Sequence, residues 1–332
     1  MKENTKNKCD LLMANTDKLS KEFKWGETLM NIAAALVFSG ADREIDIEKL
    51  KECKKIVKDI AGMFSSLRSM AEPVIVSKMA LQADPEEYFA KVKSVFDRIS
   101  RSVFADGGYF VQAAISIVDA GKYDEADEVI AKFKELYKKM NKEHPILTSS
   151  EDIIFAVLLV MTGKSVDTII TEMEDCYEYL KKELKIRVGA NEIQGLSEIL
   201  ALTDGNMREK SDRALKIYNA FGERGVKYGK SYNEFASLGA LIDIDVETRV
   251  LVDEIIETAD YLKESKKFGG WVMDKKQRLM FATMLVGDAY NAESAIITGS
   301  AIGSTVSMVI AEEVAMVMCM TVIIASSTSS NS

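Results

Sequence analysis

A run of apolar residues that stops at a glycine or an aspartate recurs through this chain, and nothing else in the sequence restricts its fold as much. The stops are Gly40, Asp84, Gly121, Gly163, Gly205, Asp243 and Gly287, spaced 37 to 44 residues apart. The apolar runs before them cover residues 33–38, 77–81, 114–118, 156–160, 197–202, 236–241 and 281–286. After each stop comes an acid-led segment with apolar residues at three- and four-residue steps, as at Val129, Phe133, Leu136, Tyr137 and Met140. Those steps are the signature of an amphipathic helix. A mean period of about 41 residues is that of a two-helix repeat.

The chemistry of one unit follows from its residue types. Small residues precede the stop by seven positions in most units (Ala33, Ser77, Ala114, Ala156, Ala236) and let helix backbones approach closely. Glycine at a stop accepts the left-handed conformation that ends a helix. The segment from Ala126 to Met140 keeps Lys132, Lys134, Glu135, Lys138 and Lys139 on one side, so that face should be wet. Its apolar predecessor should be buried between neighbours. In Asp84-Pro85-Glu86-Glu87, an N-cap acid is followed by proline at the first helical position.

The predicted fold is therefore all-α: about seven helical hairpins over residues 1–290, stacked as an α-solenoid or closed into an α/α toroid. Residues 295–325 contain only two charged side chains, Glu312 and Glu313, which divide the stretch into apolar runs of 17 and 12. A membrane span needs about 20 apolar residues. Residues 291–325 are accordingly read as apolar capping helices packed on the array, and 326–332 as a disordered tail.

Composition removes several classes of function. With 43 basic and 52 acidic side chains the net charge is −9, too acidic for a nucleic-acid binder. Cys9, Cys53, Cys176 and Cys319 stand far apart and form no C-x-x-C pair, and the first ten residues include no apolar signal segment. Free thiols and a cytoplasmic location are expected. His144 is the only histidine, so a zinc site built from several is impossible. Ser149, Ser150 and Asp152 lie near it and suggest a triad, but helix capping accounts for each of them.

Other motifs are equally short of a site. Gly163-Lys164-Ser165 resembles the end of a phosphate loop but has Leu158 where the motif needs glycine. Asp243, Asp245, Glu247 and Glu254 match calcium-loop spacing but have Thr248 at the required glycine. Glu172, Glu174, Asp175 and Glu178 form an acidic helix face, read as solvated. The tyrosines at 177, 179, 218, 228 and 232 are read as packing anchors.

Three stretches carry a family resemblance. They are His144-Pro145-Ile146-Leu147-Thr148 with Glu151-Asp152, then residues 191–202, then Tyr232-Asn233-Glu234-Phe235. Together they resemble a bacterial family known as a domain of unknown function, number four thousand and three, over most of the chain from about Leu12. The resemblance implies a bacterial, cytoplasmic, helical protein and transfers no catalytic residue. It leads one to expect a histidine after Leu196-Ser197, where this chain has Glu198.

The leading expectation is a non-enzymatic binding scaffold for a protein or peptide partner, with no cofactor and no assigned catalytic or metal-binding residue. One alternative is an enzyme on an α/α toroid that uses carboxylates, with magnesium, on a small substrate. Its candidate residues are Glu174, Glu178, Glu192 and Glu198, beside His144 and Asp152. The other alternative is a peripheral membrane protein that uses the apolar C-terminal segment. Oligomeric state is left open.

Overall fold

The computed structural model describes residues 1–23, 28–62, 65–68, 71–101, 107–185, 187–229, 231–270, 272–298 and 316–317. Among them every regular element is helical. In chain order these are α1 (Glu3–Glu22), α2 (Thr28–Gly40), α3 (Ile47–Ile60), α4 (Glu72–Ala80), α5 (Pro85–Ile99), α6 (Gly107–Asp119) and α7 (Ala126–Glu143). They continue as α8 (Asp152–Met161), α9 (Val166–Leu184), α10 (Ala190–Leu200), α11 (Met207–Glu223), α12 (Tyr232–Ala236), α13 (Thr248–Leu262) and α14 (Lys275–Thr298).

The alternation read from the sequence is present. In α2 every residue from Leu29 to Ser39 is buried, and in α8 only Leu158 and Met161 reach the surface. By contrast α7 buries one stripe (Val129, Ile130, Phe133, Leu136, Met140) and leaves Lys132, Lys134, Glu135 and Lys138 exposed. The small residues Ala33, Ser77, Ala114, Ala156 and Ala236 are all buried. Side-chain caps start the amphipathic helices: Asp46 for α3, Asp84 for α5, Asn206 for α11 and Glu247 for α13. Gly121 and Gly163 take positive φ (69° and 83°) two residues after α6 and α8, and Gly205 (120°) five residues after α10, where a Cβ would be strained.

Three stops differ from expectation. Gly40 is the last residue of α2, and the left-handed position falls at Asp42 (φ 50°). At the sixth stop the helix is short: α12 gives way to a 3-10 turn, Ser237–Leu241. Gly239 in that turn packs so closely on Ile199 that a Cβ would overlap its Cγ2. Gly287 ends nothing, because α14 runs through it. A Cβ there would reach Leu241 Cδ2 and Ala240 O at 3.5 and 3.7 Å. Those are ordinary van der Waals distances, so neither termination nor close packing requires glycine at this position.

Contacts divide the chain into two units. One comprises Ala14–Thr168 with Met316–Ser332. In it α2 packs on α4, α6 on α8, and the amphipathic series α3, α5, α7 lies side by side. Arg98 of α5 bonds Asp127 of α7 (3.2 Å), and Lys139 of α7 bonds Asp167 of α9 (2.7 Å).

The other unit comprises Met1–Met13 with Ile169–Ala315. Here α10 packs on α12, α11 on α13, and α14 on both α13 and the 3-10 turn. Arg224 of α11 pairs with Asp253 of α13 through two bonds of 2.6 and 2.7 Å. The start of α1 is anchored on the last helices: Lys8 meets Asp288 at 2.7 Å with both side chains largely buried. Glu254 is buried and accepts the Lys2 backbone N–H, the Thr5 hydroxyl and the Tyr290 hydroxyl at 2.9, 2.7 and 2.8 Å.

The expected capping helices and tail fall almost wholly outside the described residues, where only α14 to Thr298 and the buried Met316 and Val317 are seen. Among the described residues no helix is long and apolar enough to cross a membrane.

Candidate functional site

The six side chains singled out by the sequence occupy different surroundings. His144 caps the C-terminus of α7, its backbone N–H donating to Met140 O at 2.8 Å. Asp152, fully buried at the start of α8, accepts the Ser149 N–H at 2.6 Å, while Ser149 Oγ accepts the Glu151 N–H. This is the reciprocal geometry of a helix start. Glu178 is exposed and pairs with Lys181 at 3.3 Å, and Glu174, one turn earlier on α9, is half-buried. Glu192 lies in the first turn of α10 with its carboxylate folded over Gly189. Glu198 is fully buried on the same helix and accepts from Gln194 Nε2 at 3.1 Å. Among the described residues no three His, Cys, Asp or Glu side chains form a group able to hold a metal ion.

The calcium-like spacing is explained by a cation of the chain itself. Arg213 of α11 reaches the loop before α13 and donates to Ile244 O (3.0 Å), Val246 O (2.8 Å) and Thr248 Oγ1 (2.6 Å). Asp243 and Asp245 are exposed there, and Glu247 caps α13 through Val250 N.

A cleft of about 680 Å³ opens where the C-terminal ends of α4 and α6 meet the start of α5 and the turn before α7. Local sequence signals build its walls. Gly121 ends the α6 segment at positive φ, Asp84 starts α5 by accepting the Glu87 N–H (2.9 Å), and Lys49 Nζ steadies the α4–α5 turn on Gln82 O (2.7 Å). In the cleft Asp119 accepts the Tyr88 hydroxyl at 2.7 Å and pairs with Lys78 at 3.0 Å. Lys91 pairs with Glu87 at 2.7 Å, and that hydrogen bond raises the lysine's pKa above its ordinary value. Leu81 and Val118 supply apolar surface, and Tyr123 stands at the edge with Lys91 and Arg98 over its ring.

A smaller recess of about 350 Å³ in the other unit has related parts: Asp175, Tyr179, Asn206, Met207 and Arg208. Tyr179 bonds Asp212, and the Arg208 guanidinium lies 4.8 Å from its ring centre. Sequence reasoning named several residues of both recesses, Asp175 and Tyr179 among them, but joined none of them into a site. Asp84 and Gly121 were legible as the ends of separate helices. That two successive turns converge on one cleft depends on tertiary packing, which no local pattern encodes.

Comparison with known proteins agrees with the resemblance. No solved structure matches. The Uncharacterized protein YeaA of Bacillus subtilis (strain 168) is 25% identical over 272 residues, covering 80% of this chain and 79% of that protein. A family model described as "Protein of unknown function (DUF4003)" matches residues 15–327. With nearly its whole length matched, the chain belongs to the DUF4003 family of proteins of unknown function.

Proposed function

We propose that this chain is a non-enzymatic binding scaffold that takes a segment of a protein or peptide partner against the turns of its hairpins. The supporting observation is the cleft of about 680 Å³ between the α4–α5 and α6–α7 turns. Four of its charged groups are tied in pairs, Lys78 to Asp119 and Lys91 to Glu87, which makes a shaped wall. Volumes of roughly 300–1,000 Å³ suit ligands of drug size, so a few residues of extended chain fit. Stacking of seven hairpins as a solenoid or toroid is part of the same proposal, and so is a cytoplasmic location. A random hexapeptide library passed over the immobilised full chain should be retained, and Val118→Arg, which projects into the cleft, should abolish retention while leaving the melting temperature intact. Equal retention by that variant sinks the reading.

A further inference from the structure

We infer that the cleft between the α4–α5 and α6–α7 turns recognises the cationic side chain, lysine or arginine, of an extended peptide. This rests on the scaffold reading above and adds the chemistry of what is bound.

The cleft has three features suited to such a group. The first is its charge. Lys78 and Lys91 are each matched inside it, by Asp119 and Glu87. Two further carboxylates line it from exposed positions, Asp84 and Asp124, so the lining holds four carboxylates and two ammonium groups, with Lys49 and Arg98 at its margin. The second is the helix ends. The C-terminal residues of α4 and α6 form part of the lining; Lys78 O, Met79 O, Ile117 O and Val118 O already accept capping N–H groups, so these ends contribute the partial negative charge of the helix dipole rather than free acceptors. The positive N-terminus of α5 is already met by Asp84, Glu86 and Glu87. The third is surface for the rest of a long side chain. Leu81 and Val118 can cover its methylene stem, and Tyr123 already holds two of the chain's own cations, Lys91 at 5.8 Å and Arg98 at 5.4 Å from its ring centre. An anionic peptide would meet the same wall unfavourably, so discrimination is by charge.

The test uses the full chain with methyl labels on leucine and valine, followed by NMR. Two pools of capped hexapeptides are titrated, identical except that the third position is fixed as arginine in one and glutamate in the other, and free arginine amide is a third arm. The control variant is Asp84→Asn with Asp124→Asn, since asparagine still caps α5. The arginine pool should move the Leu81 and Val118 methyls. Its binding should weaken about three- to tenfold in the double variant and fall with added salt. Two results overturn the inference yet leave the scaffold standing: glutamate peptides bind the cleft as well, or the arginine pool moves only methyls elsewhere. Unchanged affinity in the double variant also overturns it. If neither pool moves any methyl, or free arginine amide binds as tightly as the peptides, the scaffold reading falls as well.

Discussion

Removing the Glu254 carboxylate should detach the first turns of α1 from the helices that hold them. Glu254 is only 6% exposed and receives three donors, from Lys2, Thr5 and Tyr290. Burial by itself would raise its pKa, but the three hydrogen bonds outweigh that and hold it below the ordinary glutamate value. Bonds to a charged acceptor contribute about 1.5–3 kcal/mol each, and orphaned buried donors add a desolvation cost. These contributions are not additive, so Glu254→Ala should cost about 3–4 kcal/mol. At about 2–4 °C per kcal/mol for a unit of this size, the melting temperature should fall by about 10 °C.

The pH dependence has a definite sign. The folded pKa lies below the unfolded value of about 4.3, so the stabilisation is complete above that pH and is lost as pH falls through the folded value. The difference between wild type and Glu254→Ala should therefore shrink in acid. Hydrogen exchange should show residues 3–13 losing protection before the rest of their unit. A variant melting within about 2 °C of wild type would refute the reasoning. A difference that stays constant from neutral pH into acid would refute it too.

Further outcomes follow from other positions. Arg213→Ala strips three bonds from the loop before α13 and should cost about 2–4 kcal/mol in urea unfolding, with Arg213→Lys restoring only part because an ammonium cannot span the fork. Gly163→Ala should destabilise by about 1–2 kcal/mol from its positive φ alone, since a Cβ there meets nothing within 4 Å. Gly222→Ala, inside α11 with equally open space, should stabilise by about 0.5–1 kcal/mol, and the same sign for both glycines in thermal melts would contradict this account. Burial pushes the thiols of Cys9 up to about 12 and of Cys53 and Cys176 up to about 11. In a Cys319→Ser background all three should resist a thiol reagent at pH 8 until urea is added; rapid labelling of the native chain would count against their burial.

The alternation of buried and half-exposed helices was legible because burial imposes it on composition. A helix enclosed on all sides, like α8, has to be apolar throughout, and one with a wet face, like α7, shows its stripe. Capping by Asp84 was legible because a cap uses neighbours in sequence. The continuation of α14 through Gly287 was not, because a glycine inside a helix reads like one that ends it. Glu254 was equally opaque. Its spacing from Asp243 suggested a loop ligand, whereas its partners Thr5 and Tyr290 lie 249 and 36 residues away. The cleft was hidden for the same reason: Tyr88 and Asp119 are 31 residues apart.

The anchoring of Lys2, Thr5 and Lys8 on α13 and α14 has a consequence for the order of assembly. A ribosome releases Thr5 long before Glu254 and Asp288 exist. Residues 14–168 contain most of their own partners and can condense while synthesis continues, but the opening segment must wait, unpaired, for the closing helices to emerge. Its docking is then the natural last event of folding, delayed by sequence separation. During that interval Lys2, Thr5 and Lys8 lack these partners, and a chain interrupted before α13 is made would never form the contacts.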